Sequence, residues 1–224
     1  AAIIAIILSS SFGLYTWMNN PESQMVAVTV KAGSKAEMAL PDGTFVHLNA
    51  ATNLEYDVNN SKQRLVKLSG EAFFDVAKNP DCPFKVIIND LQIEVVGTSF
   101  NVKTYKKDIV ETSLLSGRIR ISGGSLPHEY TLSPGQKATY SAMDKTLRIS
   151  KADAHVEAGW RDNYLIFEST PLIDVIAQIE RWYGVEIRLH HKQIAQDLLS
   201  GSFRNESIQN VIRSLSIQYG FKYE

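Results

Sequence analysis

Between residues 26 and 150 the chain alternates apolar and polar side chains in short runs broken by turn residues. The runs include VAVTV (26–30), EMAL (37–40), FVHLNA (45–50), RLVKLSG (64–70), EAFFDV (71–76), FKVII (84–88), IEVVG (93–97), SFNVKTY (99–105), ETSLL (111–115), RIRIS (118–122), KATYS (137–141) and TLRIS (146–150). A period of two in Val, Ile, Phe, Tyr and Thr predicts strands. Pro41-Asp42-Gly43, Asn59-Asn60, Asn79-Pro80, Asn89-Asp90, Gly123-Gly124 and Ser133-Pro134-Gly135 supply the turns between them. About a dozen short strands without a helical window predict an all-β unit: a sandwich, a barrel or a short β-solenoid.

Residues 151–159 break the pattern and read as a linker, after which the period changes. Residues 164–168 alternate like a strand. Residues 171–183 carry Leu172, Val175, Ile176, Ile179 and Tyr183 on one helical stripe, with Pro171 in the first turn, Ser169 or Thr170 as cap, and Gly184 as stop. A strand at 185–189 follows. The series then repeats: strand at 201–204, helix at 207–219, Gly220 as stop, strand at 221–223. At an offset of 36 residues Phe167 falls on Phe203, Val175 on Val211, Ile176 on Ile212, Tyr183 on Tyr219 and Gly184 on Gly220. A duplicated β-α-β unit is predicted, packing as one small α+β domain over 160–224.

The chain opens differently. Its first charged residue is Glu22, and residues 1–18 are uncharged although 21% of the chain is charged. A helix of that length rises roughly 27 Å, close to the apolar thickness of a bilayer. Tyr15 and Trp17 stand where an aromatic belt meets water, and Pro21 ends the segment. The expectation is a transmembrane helix remnant over 1–18; a signal peptide or a buried helix is the alternative. Net charge is −1 without a basic tract, which argues against nucleic acid as a partner. Cys82 is the single cysteine, so no internal disulfide or cysteine-based zinc site can form.

The β region also carries a recognisable series of motifs. Leu40-Pro41-Asp42-Gly43-Thr44, then Val46 and Leu48-Asn49, resembles the LPDGT-x-V-x-LN signature of the FecR family. Leu68-Ser69-Gly70-Glu71-Ala72-Phe73-Phe74-Asp75-Val76 resembles its L-x-GEA-x-F-x-V segment. Pro83-Phe84-x-Val86, Gly97-Thr98-x-Phe100-Asn101-Val102, Leu114-Leu115-x-Gly117 and Leu132-x-Pro134-Gly135 follow in the family's order. The likeness covers about 26–140. From Gly159-Trp160 onward the tail is similar to the secretin/TonB N-terminal (STN-like) module. The resemblance implies an all-β FecR domain over 26–150 and an inner-membrane anti-sigma regulator. In such a regulator an extracytoplasmic-function (ECF) sigma factor binds a cytoplasmic domain, which this reading puts outside the sequence. One helix crosses the membrane, and the periplasmic part receives the N-terminal signalling domain of a TonB-dependent outer-membrane transporter. No cofactor is implied.

Candidate chemistry is sparse. Glu71 and Asp75 share a strand face with Phe73 while Ala72, Phe74 and Val76 take the other, which reads as a polar outer face rather than an acid–base pair. Asp42 and Asn49 read as turn and side-chain-to-backbone residues. His190 and His191 are adjacent and point apart if on a strand, so they do not read as a metal pair. The resemblance marks Gly97-Thr98 as a bond at which some FecR-like regulators cleave themselves, the Thr98 hydroxyl attacking the Gly97 carbonyl; the plainer reading is a bulge glycine and a strand threonine. Trp182, at the margin of its stripe, and Ile217, about 180° from Ile208, are candidate partner-binding residues. The Phe221–Tyr223 segment is a candidate open edge. Competing functions are a carbohydrate-binding sandwich, which needs an exposed aromatic platform where Phe73, Phe74 and Phe100 look buried, a β-helical or cupin-like enzyme, and a secretion-channel component.

Overall fold

The computed structural model describes residues 24–58, 64–189 and 192–223. Two seven-stranded sheets face each other, which selects the sandwich from the architectures the alternation allows. The first sheet runs β1 (Met25–Val30), β4 (Thr52–Asp57), β5 (Arg64–Ser69), β7 (Phe84–Ile88), β8 (Leu91–Val95), β11 (Ile119–Gly123), β12 (Tyr130–Leu132). The second runs β14 (Thr146–Lys151), β13 (Gln136–Ser141), β10 (Ile109–Ser116), β9 (Ser99–Lys103), β6 (Glu71–Asp75), β3 (Phe45–Leu48), β2 (Ala36–Ala39). Within these sheets β5 and β7 pair in parallel, and the other neighbours pair antiparallel. β4 and β12 are strands that the alternation did not mark: β4 has only Leu54 and Tyr56 as strong apolar positions, and β12 is three residues long.

The core lies between the sheets. Phe74 of β6 stacks on Phe100 of β9 with ring centroids 5.2 Å apart, and meets Phe84 of the opposite sheet at 5.9 Å. All three are buried, with Leu54, Val86 and Ile93 from the first sheet and Val46, Leu48 and Leu114 from the second. Each fully buried side chain of this size stabilises the fold by about 1.5–3 kcal/mol, so the interior explains the alternation.

Beyond Lys151, the expected linker holds a short helix, α1 (Ala154–Ala158), capped by Asp153, whose side chain accepts from the His155 amide. A 3₁₀ turn over Gly159–Asp162 follows. β15 (Tyr164–Pro171) and β16 (Leu198–Arg204) form a two-stranded antiparallel sheet under α2 (Leu172–Tyr183) and α3 (Ile208–Tyr219). The duplicated pattern is visible in the paired helices, each closed by a left-handed glycine, Gly184 at φ +68 and Gly220 at φ +69. Leu165, Phe167, Val175, Ile179, Val211 and Leu215 make a second, separate apolar cluster.

Two expectations are corrected here. Residues 185–189 and 221–223 carry no strand pairing; Ile187 and Leu189 pack on the second cluster as side chains, and the Ile187 amide donates to the Glu180 side chain instead of a ladder. The unit is therefore β-α twice rather than β-α-β twice. Pro171 is the cap residue of α2 and the last residue of β15, opposite Leu198, and no side chain caps that helix. Among the described residues no helix is long and apolar enough to cross a membrane. The expected spanning helix over 1–18 lies outside the described residues, as do Asn59-Asn60 and His190-His191.

Candidate functional site

Strand β6 buries four consecutive residues, Glu71 to Phe74, so both of its faces are covered. Ala72 and Phe74 face the sandwich core. Glu71 and Phe73 point the other way, and the expected polar outer face is corrected at these two positions: they are 7% and 3% exposed because the C-terminal module lies over them. Phe73, Ala158 and Trp160 form a third apolar cluster, flanked by Leu115 and Trp182. Asp75, two residues on, stays exposed and accepts from Ser99 Oγ at 2.8 Å.

At the centre of this joint sits the Glu71 carboxylate. Asn49 Nδ2 donates to Oε2 at 2.8 Å and Asn101 Nδ2 to Oε1 at 3.0 Å. Neither asparagine can turn its amide round without loss. Asn49 Oδ1 already accepts from the Ala50 amide at 2.8 Å, and Asn101 Oδ1 accepts from Trp160 Nε1 at 3.1 Å. Both of those donors are donors only, which fixes each amide's orientation. Asn49 thus keeps its expected side-chain-to-backbone role and gains a second one at the carboxylate. Burial holds the Glu71 carboxyl above the ordinary carboxylate range; nearby Lys103, the two amides and Arg181 act in the opposite direction.

Cations surround the carboxylate. Lys35, in the loop after β1, donates Nζ to the Trp160 carbonyl at 2.6 Å and to Asn163 Oδ1 at 3.0 Å, and lies 3.6 Å over the Trp182 ring. Burial pulls its pKa down to about 8, with the Glu71 charge opposing. Arg181 stacks over Tyr105 at 4.1 Å and Arg161 over Phe73 at 3.6 Å. Asn49, Glu71, Lys103, Tyr105, Arg181 and Trp182 line a shallow cleft at this place. The backbones also approach closely: the Gly33 amide donates to the Arg181 carbonyl at 2.8 Å, and a Cβ on Gly184 would sit 3.1 Å from the Ala32 carbonyl oxygen.

The remaining sequence candidates lie apart from this joint or serve it. Trp182 is half-buried in it, packing on the second and third clusters, so its ring is engaged within the chain. Ile217 is 76% exposed and Tyr223 52%. Phe221 packs on the second cluster, and its carbonyl accepts from Ser216 Oγ. Gly97 lies in the turn between β8 and β9, where a Cβ would come within 2.8 Å of Lys78 Cβ. Thr98 is buried; its hydroxyl donates to the Arg118 carbonyl at 3.1 Å, and its own carbonyl accepts from the Val76 amide at 3.0 Å. Asp42 makes the expected turn, accepting from the Thr44 amide and hydroxyl, and also meets buried Arg64 at 3.2 Å. Sequence reasoning missed Arg64 and the Glu71 joint; the signal for the joint was the unbroken apolar stretch Ala72-Phe73-Phe74 beside Glu71.

Two separately cored units meet at a seam that is part apolar and part polar, a two-module regulator-like architecture. The family comparison says which. The FecR protein model matches residues 26–120, and the FecR C-terminal model matches residues 164–224. Two crystal structures, each of a "putative anti-sigma factor" from Parabacteroides distasonis ATCC 8503, superpose on it. The first, at 1.65 Å resolution, has a TM-score of 0.80 and 31% identity, over 89% of this chain and 94% of that one. The second, at 2.50 Å, has a TM-score of 0.81 and 30% identity, over 90% and 94%. No curated protein matches the chain. The chain belongs to the FecR family of anti-sigma factors.

Proposed function

We propose that this chain is the periplasmic sensor part of a single-pass inner-membrane regulator. It receives the N-terminal signalling domain of a TonB-dependent outer-membrane transporter and controls an ECF sigma factor across the membrane. The observation that carries this reading is the tandem itself: six ordered FecR motifs on the sandwich, followed by an α+β module joined to it through the side chains of three of them. Asn49, Glu71 and Asn101 belong to those motifs and meet at the joint.

The transporter domain docks on the C-terminal module, where Ile217 and Tyr223 are exposed and Phe221 follows on the same terminal segment. Titration calorimetry with a signalling domain from a TonB-dependent transporter encoded beside this chain tests the reading. Saturable binding that weakens in Ile217→Glu is expected. Two folded partners with no heat of binding overturn it. Self-cleavage at Gly97-Thr98 belongs to the same proposal: the Thr98 hydroxyl adds to the Gly97 carbonyl, the acyl group moves from nitrogen to oxygen, and water hydrolyses the ester. The hydroxyl must first leave the Arg118 carbonyl.

A further inference from the structure

The sandwich and the C-terminal module each own a complete apolar cluster, and apolar packing across the seam is confined to Phe73, Leu115, Ala158, Trp160 and Trp182. Polar contacts across the seam include Lys35 to the Trp160 carbonyl, Gly33 to the Arg181 carbonyl, Lys106 to Asp174 at 2.8 Å, Lys137 to Glu157 at 2.6 Å, and Trp160 to Asn101. Polar groups recover water when such a seam parts, so contacts of this composition resemble transient interfaces more than cores. Glu71 goes further, because its buried carboxylate, held by two sandwich amides, regains water on separation, a gain that the loss of Arg181 offsets in part. The apolar side chains hold the seam shut, and the buried carboxylate works against them.

We propose that Glu71, Asn101 and Trp160 form a releasable latch, and that the C-terminal module comes away from the second sheet as a folded unit, uncovering Phe73 and Trp160. Any ligand that binds the released module better than the docked one drives the opening, whatever that ligand is. The inference goes beyond the transporter reading and does not depend on the partner's identity.

Asn101→Asp in the full chain tests it. The new carboxylate keeps an acceptor for Trp160 Nε1 but places a second acid about 3 Å from Glu71 Oε1, where the amide nitrogen stood. The charged and titratable groups facing the pair are Lys35, Lys103, Tyr105 and Arg181, with Asp75 further along β6. Three groups of backbone amides report separately by hydrogen exchange. The Gly33 amide spans the seam, the amides of the β15–β16 ladder report the module, and those of β7 and β8 report the sandwich. At pH 7.5 the Gly33 protection factor is expected to fall at least about tenfold while the other two hold. Protection at Gly33 should recover as pH falls and one acid of the pair takes up a proton. Unchanged Gly33 protection overturns the latch. So does an equal loss at all three reporters, because the modules then open only as one cooperative unit. Should Asn101→Asp not fold, Trp160→Phe, which removes the Nε1 donor together with the five-membered part of the indole, decides on the same criteria with an expected drop of a few-fold.

Discussion

Arg64 offers the sharpest test of how the sandwich is held together. Its side chain is 3% exposed, and the guanidinium donates to four acceptors: Cys82 O at 2.6 Å, Ala77 O at 2.7 Å, Asn79 O at 3.1 Å and Asp42 Oδ2 at 3.2 Å. One side chain thereby ties the Pro41–Gly43 turn to the 77–82 loop at the mouth of the parallel β5–β7 pair. Arg64→Met keeps an unbranched stem against the Phe84 ring, which lies 5.9 Å from the guanidinium carbon, and removes all four donors. Breaking a buried ion pair on one side costs about 3–5 kcal/mol. Here Asp42 keeps the Thr44 amide and hydroxyl and is 18% exposed, so the lower end applies, and a loss of about 3 kcal/mol is expected. Against a typical stability of about 5–15 kcal/mol this is large but not fatal. Urea unfolding followed by far-ultraviolet circular dichroism should give a lower midpoint at unchanged slope. In a cycle with Asp42→Asn the coupling should be only about 1 kcal/mol, since three of the four acceptors are backbone carbonyls. A loss below about 1 kcal/mol for Arg64→Met would refute the assignment of these loops to the guanidinium.

Four further outcomes follow from the structure. The folded-state carboxyl of Glu71 is raised above its free value of 4.5, so it contributes stability that is fully present below that pH and lost as pH climbs through the folded value; Lys35, lowered from 10.5 to about 8, contributes stability present above 10.5 and lost as pH falls through 8. Urea midpoints of wild type minus Glu71→Gln should therefore decline from acid toward neutral pH, and a flat difference contradicts the burial argument. Gly70 has φ +114, and a Cβ there would lie 2.5 Å from Thr52 Oγ1, the acceptor of the Glu71 amide, so Gly70→Ala should lower stability by about 2 kcal/mol or more in the same assay. Ile217→Glu should shift stability by less than about 0.5 kcal/mol, and a larger loss would show that the side chain packs in solution. Mass spectrometry of fresh protein checks the Gly97-Thr98 bond: fragments meeting there in wild type and absent in Thr98→Ala are the expected sign of cleavage, and identical intact masses count against it.

Much of the fold was written in local pattern. Alternation gave most strands of the sandwich, because a strand with one face in the core must repeat every two residues. The stripes of α2 and α3 and their glycine stops were equally plain. The failures have a common cause. Residues 185–189 alternate as a strand would, yet Ile187 and Leu189 bury their side chains on the module's core without a neighbouring ladder, and sequence spacing cannot distinguish packing from pairing. At Glu71 the alternation showed which way the side chain points. It did not show that residues almost ninety positions later, Ala158 and Trp160, cover that face. The clue was local but two-sided: Phe73 and Phe74 are adjacent large apolar residues, and such a pair on one strand asks for cover on both faces. The acceptors around Arg64 left no periodic trace, since three of the four are backbone carbonyls, which carry no sequence signal.

The position of β1 gives the seam a mechanical meaning. β1 lies at the margin of the first sheet and is held laterally by β4 alone, through a six-residue antiparallel ladder. A load applied at Met25 would meet that ladder before any other. Directly beyond Val30 come Gly33 and Lys35, the residues that grip Arg181, Trp160 and Trp182. The strand that the incoming chain enters thus ends within five residues of the place where the two modules clasp.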